Sequence, residues 1–161
     1  GEFSAFARMA EARPSKAEIA PIIEDAVILF REAHKKITFA TDVEPDMPPA
    51  LLDRDQIKRA LINVIDNAVA ATAGRGTIRI SARKNADRGQ LVIKVADDGA
   101  GLPAAYRGRL FEPYFSTKKM GTGLGLAIVH RIIHDHGGTV SMRDNQPRGT
   151  VVVIELPLKE A

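Results

Sequence analysis

Residues 76–97 read Gly-Thr-Ile-Arg-Ile-Ser-Ala-Arg-Lys-Asn-Ala-Asp-Arg-Gly-Gln-Leu-Val-Ile-Lys-Val-Ala-Asp. Ile78, Ile80 and Ala82, then Leu91, Ile93 and Val95, fall on every second position. A period of two belongs to strands, whose side chains alternate between faces. Asp87-Arg-Gly89 supplies the turn between the two runs. This stretch is therefore an antiparallel hairpin with one apolar face, and such a face needs a second layer to cover it.

Helical patterns on both sides supply that layer. Upstream, Asp53 opens a long helix to about Thr72, with Ile57, Leu61, Val64/Ile65 and Ala68 as its core stripe. Gly74-Arg-Gly76 stops it. Downstream, a helix over about 122–136 turns Ile128, Val129, Ile132 and Ile133 inward, and Gly137-Gly138 ends it. Further out, Ser15 and Glu18 form a capping box for a helix carrying Ile19, Ile22/Ile23, Ala26, Val27 and Phe30 to about Ala33. Residues 37–43 alternate like a strand, and Pro45, Pro48 and Pro49 make the loop after it. A second hairpin, 139–143 and 150–156, closes the chain. The pattern predicts an α+β fold, a two-layer α/β sandwich with a mixed, mostly antiparallel sheet and helices on one face.

The chain has 161 residues, 23 Lys+Arg, 20 Asp+Glu and no Cys or Trp. That length suits one ordinary domain. Zero Cys excludes a disulfide scaffold, a thiolate zinc site and a cysteine nucleophile. No apolar run approaches the roughly 20 residues of a spanning helix, and no signal peptide opens the sequence. A dispersed net charge of +3 and 5% aromatics disfavour a nucleic-acid partner.

Three segments depart from what packing needs. Asn63-Val-Ile-Asp-Asn67 puts two Asn on one flank of an apolar helix, where Asn is a poor helix former. Their carbonyl oxygens suit a hard cation such as Mg²⁺ held with phosphates and water; the plainer reading is two surface Asn. Asp97-Asp98-Gly99-Ala100-Gly101 ends a strand. It is either a plain turn or a place where backbone approaches a flat ligand and a carboxylate reads an exocyclic amine. Gly121-Thr122-Gly123-Leu124-Gly125-Leu opens a helix. It is either a flexible hinge or a wrap around a phosphate at a helix N-terminus. Its G-x-G-x-G spacing is neither a dinucleotide fingerprint nor a Walker A loop.

In this order the segments resemble the ATP-binding catalytic domain of bacterial sensor histidine kinases, in the superfamily shared with gyrase, Hsp90 and MutL. Asn63-x-x-x-Asn67-Ala resembles the N box, Asp97-x-Gly99-x-Gly101 the G1 box, Phe111-Glu-Pro-Tyr-Phe115 the F box and Gly121-x-Gly123-x-Gly125 the G2 box. The match covers roughly residues 15–158 and implies a Bergerat-type ATP-binding fold, with a lid at about 98–121 whose glycines and charges predict mobility. Glu2-Phe3-Ser-Ala-Phe6-Ala-Arg-Met9 resembles the end of a dimerisation and phosphoacceptor helix, so residues 1–14 are expected to be its C-terminal remnant, helical over 2–12 and ended by Pro14. The wording there and at Phe115-Ser-Thr-Lys-Lys most resembles nitrogen-regulation sensor kinases of the NtrY type.

The resemblance implies roles. Asn67 would ligate Mg²⁺ bridging the ATP phosphates, with Asn63 beside it. Asp97 would accept from the adenine amino group, with Thr150 near it. Gly99 and Gly101 would let the chain pass the base. Gly121, Thr122, Gly123, Leu124 and Gly125 would fold over the phosphates, and Phe111 and Phe115 would anchor the lid. Ala70 stands where many members carry a Lys or Arg, so phosphate charge falls to Lys118 and Lys119, which otherwise read as solvated lid lysines. Asn63 replaces the Glu base of the related ATPases, and an amide cannot take a proton from water. The site would then hold the γ-phosphate for an outside nucleophile.

That nucleophile would be a histidine. His34, His130, His134 and His136 lack the family's His-Glu/Asp-x-x-Arg setting, so the phosphoacceptor is expected upstream. His130 and His134, four apart, read as a surface pair, and His136 as a packed helix-end residue. Implied partners are the chain's own dimerisation domain and a response-regulator receiver domain. The parent is expected to be a homodimeric inner-membrane sensor with this domain on the cytoplasmic side. A serine protein kinase of the anti-sigma type and a degenerate nucleotide-binding interaction module are the alternatives; Asn63 argues against the first and the intact glycines against the second.

Overall fold

The computed structural model describes residues 11–101 and 125–158. In chain order these form β1 (Ser15–Ala17), α1 (Ile19–Ala33), β2 (Ile37–Val43), β3 (Ala50–Leu52), α2 (Arg54–Ala71), β4 (Gly76–Asn85), β5 (Gln90–Asp97), α3 (Gly125–Asp135), β6 (Thr139–Asp144) and β7 (Thr150–Pro157). The main sheet has five strands in the order β2-β4-β5-β7-β6. Only β2 against β4 is parallel; the other three pairings are antiparallel.

The expected hairpin is the middle of this sheet. Ile80 faces Val95 and Ala82 faces Ile93 across it, and all four are buried. Ile154 and Leu156 of β7 extend the same face. Ile57, Leu61, Val64 and Ile65 of α2 and Val129, Ile132 and Ile133 of α3 cover it, as their spacing predicts. Arg79, Arg83 and the half-buried Lys94 lie at alternate positions that face away from the helices. The two-layer sandwich is thus what the alternation dictates.

Two local expectations fail. Ser15 does not cap a helix; it pairs with Leu52 in a small antiparallel sheet of β1 and β3. Glu18 is the residue before α1, and no side chain caps that end. Pairing with β3 satisfies the backbone at 15–17 and buries Ala17, Ala50 and Leu52, which a capping turn would not do. Residues 11–14 carry no regular structure, so the expected first helix does not extend to residue 12; its remainder lies outside the described residues.

α2 begins as expected. Asp53 Oδ1 accepts from the Gln56 N–H at 3.1 Å, and its Oδ2 accepts from the Arg13 N–H at 2.9 Å. Burial alone would raise the Asp53 carboxyl. The Arg13 and Gln56 N–H groups outweigh it and hold it below the ordinary carboxylate value.

α2 and α3 run antiparallel and are joined at two places. At one end His136, just past α3, accepts the Asp53 N–H at Nε2 (3.0 Å), so its proton sits on Nδ1 and is donated to Ile132 O at 2.8 Å. This is the packed helix-end role expected of His136. At the other end the Asn63 amide nitrogen lies 3.5 Å from the Gly125 carbonyl.

Candidate functional site

The site starts from the β5 alternation. After Leu91, Ile93 and Val95 the next inward position is Asp97, opposite Ile78 of β4. The strand pattern therefore carries a carboxylate into the space under the helices, where it is 5% exposed. Thr150 opens β7 one step beyond the Ala96–Val151 pair and is buried at the same level. Asp97 Oδ1 accepts from the Gly99 N–H at 2.9 Å and from the Thr150 N–H at 3.3 Å. Burial pushes the Asp97 carboxyl above its ordinary value; the two N–H groups draw it back and neighbouring Asp98 adds to the rise. Among the described residues Oδ2 has no partner, which leaves a strong acceptor at the sheet end.

The turn that follows is fixed on three sides. Both Asp98 oxygens accept from the Thr77 N–H, each at 3.1 Å, at the start of β4. The Ala100 N–H donates to Ala71 O at 3.2 Å, at the end of α2. A Cβ at Gly99 would run into that same Ala71 carbonyl, so glycine is needed there for close approach. Gly101 has φ +76°, which also favours glycine. Residues 98–101 were expected to begin a mobile lid. Here they form a hydrogen-bonded turn because three neighbouring elements each supply a partner. The rest of the expected lid, with Phe111, Phe115, Lys118, Lys119 and Gly121, and Thr122, Gly123 and Leu124 just after it, lies outside the described residues.

The third side escaped the sequence reading. In the β6–β7 turn the Asn145 amide donates to the Asp97 carbonyl at 2.8 Å, and Arg148 Nε donates to the Gly99 carbonyl at 2.8 Å. Gly149, at φ +104°, leaves no room for a Cβ, which would lie 2.7 Å from the Asp97 carbonyl carbon and 2.9 Å from Asp98 Cα. In sequence Asn-Gln-Pro-Arg-Gly explains itself as a hairpin turn, and only Thr150 beside it was singled out.

On α2, Asn63 and Asn67 are half-buried on the flank of the buried stripe, as their spacing requires, and Ala70 beyond them is exposed. The Asn63–Gly125 contact brings that flank to the start of α3. The structure thus gathers Asn63 and Gly125 at one point and Asp97, Gly99, Gly101 and Thr150 at another, on the same side of the sheet. The rings of His130 and His134 stack at 6.2 Å. Among the described residues no group of three His, Asp or Glu side chains is placed to hold a metal. No helix of the described residues is long and apolar enough to cross a membrane.

This geometry coincides with a family match. The model of histidine kinase-, DNA gyrase B- and HSP90-like ATPases matches residues 52–160, which include every site residue named above. The chain belongs to this family.

Relatives within the family include the signal transduction histidine-protein kinase AtoS of Escherichia coli, 30% identical over 95% of this chain and 25% of that protein. The chain is 41% identical to the nitrogen regulation protein NtrY of Azorhizobium caulinodans over 98% of its own length, and it spans 21% of that protein. The catalytic domain of the histidine kinase ThkA, free of nucleotide, matches at 30% identity and TM-score 0.83, over 91% of this chain and 96% of that one. ThkA in complex with the response regulator protein TrrA matches at 27% identity and TM-score 0.83, over 98% and 46%. Full-length ShkA in complex with AMPPNP matches at 30% identity and TM-score 0.84, over 99% of this chain and 34% of that one. The chain is therefore an ATP-binding catalytic domain of the histidine-kinase type.

Proposed function

We propose that this domain holds Mg-ATP so that the γ-phosphoryl group passes to a histidine on a separate dimerisation domain, and from there to the aspartate of a response regulator. The observation that carries the reading is the buried Asp97 carboxylate, fixed through Oδ1 by two backbone N–H groups and with Oδ2 left to accept from the adenine amine. Asn63 and Asn67 offer amide oxygens, hard donors of the kind Mg²⁺ takes alongside phosphate and water. Asn67 would hold the ion, with Asn63 beside it, and the chemistry such an ion supplies when bound is neutralisation of phosphate charge. Gly121, Gly123 and Gly125 and Lys118 or Lys119 would enclose the phosphates. Asn63 takes no proton, so water is not activated, and the histidine nitrogen attacks instead. In that step the P–N bond forms as the bond from γ-phosphorus to the bridging oxygen breaks, and ADP leaves.

The full protein would be a homodimeric nitrogen-regulation sensor anchored in the inner membrane, with this domain in the cytoplasm. Likeness to NtrY, and to a kinase solved with its response regulator, supports that reading. Transfer to serine is disfavoured by Asn63, since that chemistry uses an acidic base at this position.

The test mixes the domain with a separate dimerisation fragment of its parent and γ-labelled ATP. Acid-labile label on the fragment is expected, and it should be lost with Asn67→Ala. Acid-stable label, or label on the catalytic domain itself, would overturn the proposal.

A further inference from the structure

Asp97 can discriminate a base only if its carboxylate stands still, and the β6–β7 turn is built to hold it. Asn145 is itself fixed. Its Oδ1 accepts the Gln146 N–H at 3.0 Å and its own N–H donates to Gly149 O at 3.0 Å. With Oδ1 committed to a donor, the other end of the amide must be the NH₂ group, which faces the Asp97 carbonyl at 2.8 Å. Arg148 adds a planar donor to the carbonyl of Gly99, two residues on. Gly149 lets the two backbones touch between these bonds. The Asp97–Asp98 and Gly99–Ala100 peptide units thus each have a carbonyl held by a side chain of the same hairpin turn.

We propose that Asn145 and Arg148 are positioning residues that set the base selectivity of the site, acting through the 97–99 backbone rather than by touching nucleotide. This rests on the reading of Asp97 as the acceptor for the adenine amine. Without the two donors the turn keeps its Thr77 and Ala71 attachments, so the fold persists. The carboxylate, however, samples positions off the amine. The loss falls on adenine and spares phosphate contacts, because those are made elsewhere.

The experiment measures binding of ADP and of IDP, each with Mg²⁺, by calorimetry to the wild type, Asn145→Ala, Arg148→Ala and Arg148→Lys. IDP carries a carbonyl where ADP carries the amine, and an N1–H where ADP has a bare N1, so the ratio of the two affinities reads the contacts at the base edge that faces the carboxylate and leaves the phosphate contacts out. Thermal unfolding is recorded in parallel. The wild type should prefer ADP. Each variant should lose about ten-fold in ADP affinity, the scale of one charge-assisted hydrogen bond, with IDP within about two-fold. Arg148→Lys keeps the charge and most of the stem while lacking the Nε donor, so it tests the bond if the alanine variant fails to fold. Arg143→Ala, on exposed β6, should leave both affinities unchanged. An unchanged ratio in folded variants, wild-type selectivity in Arg148→Lys, or equal loss for both nucleotides would overturn the proposal. A wild type that binds both nucleotides but does not tell ADP from IDP would instead refute the reading of Asp97, and this inference with it.

Discussion

Asp97→Asn separates stability from recognition. The carboxylate is 5% exposed, and its acidity is lowered chiefly by burial, with the Gly99 and Thr150 N–H bonds only partly compensating. A carboxyl whose folded pKa lies above its unfolded value binds a proton more readily when folded. Its contribution to stability is therefore fully present below the unfolded value, about 3.8, and is lost as pH rises through the folded value. At neutral pH the charged group is a liability to the fold. Asparagine removes that charge and keeps an oxygen for both N–H groups, at 2.9 and 3.3 Å. Each of those bonds weakens from charge-assisted to neutral, by about 1 kcal/mol. Relief of desolvation outweighs this, because desolvation is the largest influence on the group and sets the direction of the shift. The variant should thus unfold at an equal or higher temperature at pH 7, and its advantage should vanish below about pH 4. Recognition moves the other way. Losing a charged acceptor for the adenine amine removes about 1.5–3 kcal/mol, or roughly 10- to 150-fold in ADP affinity. Differential scanning calorimetry across pH reads the first effect and ADP titration the second. A variant more than about 2 kcal/mol less stable at pH 7 refutes the electrostatic argument. ADP affinity within about two-fold of wild type refutes the amine contact.

Other expectations follow from individual contacts. Ile93→Ala, at a fully buried position in the central strand, should cost about 2–5 kcal/mol in urea unfolding. Gly138→Ala would press a Cβ onto Glu155 O and to 3.0 Å from Leu156 Cδ2, so a loss of about 1–3 kcal/mol is expected in the same assay. His136→Ala leaves the Asp53 N–H without its acceptor and should cost about 1–3 kcal/mol, with His136→Gln recovering part of it. Asp53 has a lowered folded pKa, so its stabilisation is present above about 3.8 and fades as pH falls through the folded value; in Asp53→Ala that acid-limb change should be absent, alongside a loss of about 1 kcal/mol at pH 7.

Alternation made the β4–β5 hairpin legible; Asp97 was marked by the Asp-x-Gly-x-Gly run at the strand end, and the same alternation, continued one step past Val95, is what buries it. The α2 stripe and the Asn pair on its flank were readable for the same reason: helical period fixes faces. Failures came where the deciding partner is remote. Ser15 and Glu18 satisfy the capping-box spacing, yet β3, a strand of three residues after Pro48-Pro49, captures residues 15–17. Three residues carry too little periodicity to announce themselves. Asn145 and Arg148 lie 48 and 49 residues from the carbonyls they hold, and nothing local marks a turn residue as a support for a distant one. The parallel pairing of β2 with β4 was hidden in the same way, since α2 and β3 lie between the two strands.

That parallel pair has a consequence for the order of assembly and for native-state motion. β4–β5 and β6–β7 close through short turns, whereas β2 must wait until the whole β3–α2 segment has folded back. β2 then sits on the edge next to β4, while the Asp97 turn draws on β7 and its hairpin turn. Amide protons of β2 should therefore exchange by fraying of the edge that leaves the turn closed, and nucleotide should slow exchange at residues 97–100 and 149–150 far more than at 37–43. The edge strand that joins last would be free to breathe without costing the domain its ligand.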